Sequence, residues 1–140
     1  MRFFQTLILF LIVFAPLVYA GPHAAQIPAL DASGDDKEMT LLSKSDDLKL
    51  AAITLRRGTA LPTHSTPSPA TVLVLEGQGI IHVDGEPAKV KKGSVVMLEA
   101  GAPHDVVPAE GTDMQLLVHY LLSAPKSKEN RSHGHDGHNH

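Results

Sequence analysis

The chain has 140 residues, 43% of them hydrophobic and 19% charged, with a formal net charge of −3 and no cysteine. That length suits one small domain with appendages. The charge excludes a general polyanion binder, which needs clustered Lys and Arg, and the missing thiols exclude disulfides, thiolate zinc sites and cysteine nucleophiles.

Met1 and Arg2 precede an apolar run from Phe3 to Phe14 broken only by Gln5 and Thr6; Pro16 interrupts any helix, and Val18-Tyr19-Ala20 leads into Gly21. A short positive start, an apolar centre and a small closing residue make residues 1–20 a secretory signal peptide cleaved after Ala20. An uncleaved anchor is the rival reading, because Phe3 to Ala20 approaches the roughly 17–25 residues that span a bilayer. Pro16 and the switch to Gly21-Pro22 favour cleavage. An exported protein, periplasmic or extracellular, is therefore expected, and no later apolar segment is long enough for a membrane span. The leader also holds Phe3, Phe4, Phe10, Phe14 and Tyr19, so the mature chain keeps only Tyr120. A surface that stacks bases or sugar rings is excluded with them, and nucleic acid as a partner.

Residues 21–37 carry Pro22, Pro28, Gly34 and the charges Asp31, Asp35, Asp36 and Lys37. They read as a flexible linker with little to bury. From residue 38 to 124 the pattern becomes short β-type runs divided by Gly, Pro and Asp turns. Strands are predicted at Met39–Ser43, Leu48–Leu55, Ala70–Leu75, Gly79–Val83, Ala88–Val90, Ser94–Leu98, His104–Val107 and Met114–Leu122. Val83-Asp84-Gly85-Glu86 reads as a hairpin whose two central residues need positive φ. Gln115–Leu122 suits a helix by apolar content, but the neighbouring strand rhythm favours a strand. Val72-Leu73-Val74-Leu75 and Val95-Val96-Met97-Leu98 lack alternation, as strands covered on both faces do. The whole describes an all-β, single-domain sandwich or barrel. After Ala124 the chain turns polar, and residues 125–140 read as a disordered tail.

Two segments resemble the paired motifs of the cupin superfamily. The first runs from Gly58 through Leu61, Pro62 and His64 to Thr66, followed by Val72-Leu73-Val74-Leu75-Glu76-Gly77-Gln78-Gly79. The second runs from Gly93 through Val96, Leu98, Glu99, Gly101 and Pro103 to His104. The resemblance implies a jelly-roll barrel (a double-stranded β-helix) with a ligand or metal pocket at its wider end. In metal-bearing cupins two His and a Glu of the first motif join a His of the second around the ion. Here His64 and His104 fall in place. Thr66 stands at the second His position, Ala70 or Thr71 at the Glu position, Pro108 at the closing Asn, and Glu99 replaces the second motif's Pro. His64 and His104 are thus the metal candidates of the barrel, on facing strands, with Thr66 and Thr71 as hydroxyl partners of a small ligand. Catalytic zinc normally keeps three protein ligands, so two imidazoles imply a weak, exchangeable site or a metal-free pocket.

His82 and His119 are either a third nitrogen donor or strand histidines at the sheet surface, and the surface is favoured for both. Period two groups His119 with Gln115, Leu117 and Leu121, opposite Leu116, Val118 and Tyr120. Glu76 and Glu99 read as solvated turn charges. In the tail, His133, His135, His138 and His140 stand with Asp136 among glycines, a composition that wraps a borderline divalent ion; a merely solvated tail and a purification tag are the bland readings.

These residues point to an exported binding module that takes a divalent metal (Zn, Ni, Cu or Mn) and/or a small molecule without catalytic machinery. The alternative is a weakly metallated enzyme acting on a small oxygenated substrate through His64 and His104. Many cupins are dimers, so the resemblance also implies a homodimer pairing through a barrel edge.

Overall fold

A computed structural model describes residues 23–122; the leader and the histidine tail lie outside the described residues. Nine strands follow one another: β1 (Lys37–Lys44), β2 (Leu48–Leu55), β3 (Leu61–His64), β4 (Ala70–Glu76), β5 (Gln78–Val83), β6 (Glu86–Lys91), β7 (Val95–Leu98), β8 (His104–Pro108) and β9 (Met114–Leu121). They form a five-stranded sheet, β1-β2-β9-β4-β7, and a four-stranded sheet, β3-β8-β5-β6. Every pairing is antiparallel. This is the expected jelly-roll arrangement, and residues 115–121 are strand rather than helix.

Period two fills the space between the sheets. Ile53, Leu55, Val72, Val74, Leu98, Met114, Leu116 and Val118 of the larger sheet meet Ile81, Val90 and Val106 of the smaller one in a single core. Each such side chain contributes roughly 1.5–3 kcal/mol when fully buried. The chain passes from the larger sheet to the smaller at Gly77, whose φ is +86° and whose Cβ position is taken by the Asp113 carbonyl oxygen. Only glycine fits there. The Asp84-Gly85 hairpin has φ of 52° and 82°, as its sequence requires.

Three expectations change. β3 was not predicted, because Pro62 interrupts a four-residue run; it pairs only with β8 and lies at a sheet edge, where a residue without N–H costs no ladder bond. β7 is not covered on both faces. It is the edge of the larger sheet, and Val95 and Met97 point outward, 61% and 68% exposed, while Val96 and Leu98 face the core. Residues 23–36 form no strand, yet part of the segment is fastened to the outer face of the larger sheet. Gln115 Nε2, buried on that face, donates to the Pro28 carbonyl at 2.8 Å and to Thr54 Oγ1 at 3.3 Å.

The fastening centres on Arg56, 2% exposed. Its Nε donates to the Asp31 carbonyl at 2.7 Å; its Nη1 donates to the Asp35 carbonyl at 2.6 Å and to Glu38 Oε2 at 2.7 Å. Gly34 lies against the guanidinium, where a Cβ would collide with it. Beside it Arg57 donates to the Ala32 and Gly34 carbonyls and to Asp36. Arg56→Ala is expected to lower stability by about 2–3 kcal/mol in chemical denaturation, since it strips a charged donor from several acceptors. Limited proteolysis should then cut within residues 27–36. Arg56→Lys should restore little of this, because an ammonium lacks the planar fork. Unchanged stability and cleavage in both variants would remove Arg56 as the fastening.

Candidate functional site

His64 closes β3 and His104 opens β8, and the two residues are cross-strand partners. They therefore stand on neighbouring strands of one sheet, not on facing strands. Their ring centroids are 4.3 Å apart with a 60° tilt. Each ring is oriented by its own backbone: His64 Nδ1 lies 2.9 Å from the Pro62 carbonyl oxygen and His104 Nδ1 lies 2.8 Å from that of Ala102. A carbonyl only accepts, so Nδ1 carries the proton in both neutral rings and Nε2 keeps its lone pair. Among the described residues no hydrogen bond reaches either Nε2, and no side-chain nitrogen is buried without a partner. His104 is buried and His64 exposed, so the pair spans the boundary between core and solvent.

Beneath the pair lies a cavity of about 20 Å3, lined by both histidines, by Tyr120 and by apolar side chains including Ile53, Val72, Leu98 and Leu116. One water needs roughly 10–15 Å3, so the barrel interior has room for little more than that. Burial raises the Tyr120 hydroxyl above its ordinary pKa, keeping it neutral. Tyr120 reaches this cavity as the alternation along β9 requires.

The structure separates the other candidates from this pair. Thr71 lies on the outer face of the larger sheet, in register with His119 and Met97, because Ala70, Val72 and Val74 take the inward positions. Thr66 Oγ1 donates to the Ser68 carbonyl at 2.8 Å, and Thr66 is not among the residues that line the cavity. The expected hydroxyl partners are therefore not brought to the imidazoles. His119 is exposed on the outer face, so it adds no donor. His133, His135, His138 and His140 lie outside the described residues. The donor set suits a borderline divalent ion as two of its ligands, since a backbone-held imidazole presenting Nε2 is how metal-bound histidines are oriented. No group of three or more metal-ligating side chains occurs among the described residues.

Sequence reasoning missed a second polar cluster. His82 Nδ1 donates to Asp105 Oδ1 at 2.6 Å, and Thr63 Oγ1 donates to Asp105 Oδ2 at 3.3 Å. His82 and Asp105 are register partners on β5 and β8. They point away from the core, into a surface hollow of about 300 Å3 that Gly85, Pro103 and His104 also line. The alternation that sends His104 inward sends Asp105 outward, but pairing Asp105 with His82 requires the strand register. The His82 hydrogen bond, opposed by desolvation and reinforced by the imidazole's charge and by Thr63, holds the Asp105 carboxyl below its ordinary pKa.

A depressed carboxylate pKa stabilises the fold fully above the unfolded value, about 3.9, and the contribution is lost as pH falls through the lower folded value. Thermal melts between neutral pH and about pH 2.5 should therefore show wild type more stable than Asp105→Asn above about pH 4. The gap should close below that. A gap independent of pH would mean that the carboxylate's charge contributes nothing.

The cupin domain family model matches residues 52–120, which contain both histidines and eight of the nine strands in whole or in part. No curated protein matches at a significant level. Among solved structures the chain is similar to an RmlC-like cupin protein from Desulfovibrio desulfuricans, at 28% identity and a TM-score of 0.60, over 71% of this chain and 98% of that one. It is similar in fold to KdgF from Halomonas sp., at 16% identity and a TM-score of 0.57, over 73% and 90% of the two chains. The DMSP lyase DddQ from Ruegeria pomeroyi DSS-3 matches at 20% identity and a TM-score of 0.59, over 66% of this chain and half of that one. Since the family match, the solved relatives and both sequence motifs coincide on one double-sheet barrel, the chain belongs to the cupin superfamily.

Proposed function

We propose that this cupin is an exported binding module without turnover, whose site is the His64–His104 pair at the barrel rim and whose ligand is a divalent metal ion. The two imidazoles would hold the ion through Nε2, and water or a small oxygen-bearing molecule would complete its shell. A borderline ion such as Zn²⁺, Ni²⁺ or Cu²⁺ suits imidazole nitrogen best, with Mn²⁺ the weaker fit. The observation that carries the reading is the fixed tautomer of both rings, which keeps two lone pairs available without any ligand present.

The alternative, an enzyme working on a small oxygenated substrate through the same histidines, is supported by the fold shared with the DMSP lyase. Against it stands the cavity of about 20 Å3, too small for a substrate inside the barrel. The apolar side chains left on the edge strands support the homodimer: Met39 and Leu41 on β1 are 64% and 55% exposed, and Val95 and Met97 lie outward on β7.

Zn²⁺ titration by calorimetry tests the site on the chain from Gly21 onward with His133, His135, His138 and His140 all replaced by Asn. One weak site per chain is expected, and His64→Asn or His104→Ala should weaken it tenfold or more. Binding that survives both substitutions would place the metal elsewhere. Sedimentation at micromolar concentration should give twice the monomer mass, and a strictly monomeric profile would remove the homodimer.

A further inference from the structure

We propose that the hollow on the outer face of the smaller sheet is a second binding site, for a small organic cation bearing N–H donors, an ammonium or a guanidinium group. The site is built on Thr63, Asp105 and His82. It is independent of the metal reading of the rim, because Thr63 and Asp105 adjoin His64 and His104 in their strands and leave the sheet on the opposite face.

Three adjacent strands build the row: Thr63 on β3, Asp105 on β8 and His82 on β5. Asp105 joins them, since its Oδ1 accepts from His82 Nδ1 at 2.6 Å and its Oδ2 from Thr63 Oγ1 at 3.3 Å. Those two bonds decide what the row can offer a ligand. The Thr63 hydroxyl proton and the His82 Nδ1 proton are both directed at Asp105. What remains is His82 Nε2, the Thr63 oxygen and the further lone pairs of the carboxylate, and all of these accept. His104 adds no ring donor, because its Nδ1–H is held by the Ala102 carbonyl, and Pro103 has no N–H.

Charge and shape point the same way. Asp105 is a carboxylate at neutral pH, and among the described residues no Lys or Arg lines the hollow. Asp84, exposed in the hairpin that brings Gly85 to the hollow, adds a second negative charge at its edge. The Asp105 and His82 side chains are 24% and 34% exposed, so an ion pair formed there is screened less than one on the open surface. The Asp84 N–H donates to the Pro103 carbonyl at 2.9 Å, which holds the hairpin against the loop before β8 and sets two walls. No atom lies within 4 Å of where a Cβ on Gly85 would sit, so that side admits a ligand. The volume, about 300 Å3, lies at the small end of ligand pockets. An anion would meet acceptors and negative charge, whereas a cation with N–H donors satisfies both.

The test titrates the chain from Gly21 onward with propylammonium and, separately, methylguanidinium, at about pH 8, where an ordinary imidazole is neutral. The His82 ring nitrogens are followed by 1H–15N NMR at constant ionic strength, with propan-1-ol as the uncharged counterpart. Saturable shifts of His82 Nε2 are expected for the cations, with a dissociation constant on the order of 1 mM for so small a ligand. The tighter of the two names the preferred group. Asp105→Asn keeps an acceptor for His82 Nδ1–H but removes the charge, and should weaken binding by about tenfold or more. Thr63→Val should weaken it by about threefold; it sits on an exposed edge strand and keeps the test decisive should Asp105→Asn fail to fold. Circular dichroism confirms the fold of each variant. No saturable shift up to about 50 mM, far above that constant, would overturn the site. So would an equal response to propan-1-ol, shifts unchanged in both variants, or a His82 that answers to Zn²⁺ and to neither organic cation.

Discussion

Ile53, Val72, Leu98, Val106, Leu116 and Val118 close the space between the two sheets to about 20 Å3 beneath His64 and His104. A chain with no cysteine has only such packing to hold a small barrel together. The magnitudes show what a larger interior would cost. Opening a cavity costs about 24 cal/mol per Å3, so a drug-sized pocket of about 300 Å3 would cost about 7 kcal/mol. That is comparable with the entire stability of a domain, about 5–15 kcal/mol. The free imidazole nitrogens stand instead at the rim, where His104 is buried and His64 meets solvent.

The same economy of core accounts for Arg56. The outer face of the larger sheet carries buried Thr54 and Gln115, and the segment before β1 supplies carbonyl acceptors for Gln115 and for the guanidinium. Stripped of those partners, a buried Arg would be strongly destabilising; with all of them it locks one specific docking of the segment. The exposed Lys92–Glu76 pair has none of that leverage, since a surface ion pair is worth at most about 1 kcal/mol. Two arginines adjacent in sequence thus act alike, on carbonyls from Asp31 to Asp35, although one is buried and the other exposed.

What the sequence made legible was mostly local. The Asp-Gly hairpin, the order of most strands, and the inward positions of Leu116, Val118 and Tyr120 follow from turn chemistry and period two. His64 and His104 stood out only through the motif resemblance, because a lone strand histidine has no local signature. Thr71 shows the limit of a motif position: its place at or next to the motif's Glu position counts for less than its parity, which turns it outward. Pro62 hid β3, since an edge strand tolerates a residue that a central strand would reject. The Arg56 fastening and the Asp105–His82 contact were illegible for a different reason. Each joins residues 18 or more positions apart, and only the folded register brings them together.

The fixed tautomers at the rim connect this architecture to binding. In a free histidine the two neutral tautomers exchange and the ring rotates, so a metal ion must select one arrangement. Here a carbonyl two residues earlier in the chain holds each Nδ1–H, and the β3–β8 pairing holds the rings in contact. That part of the ordering is done by the fold, and for an ion held as proposed it would lower the ordering cost of binding. Among the described residues the inner faces around the pair are apolar except for the Tyr120 hydroxyl, which shares their cavity.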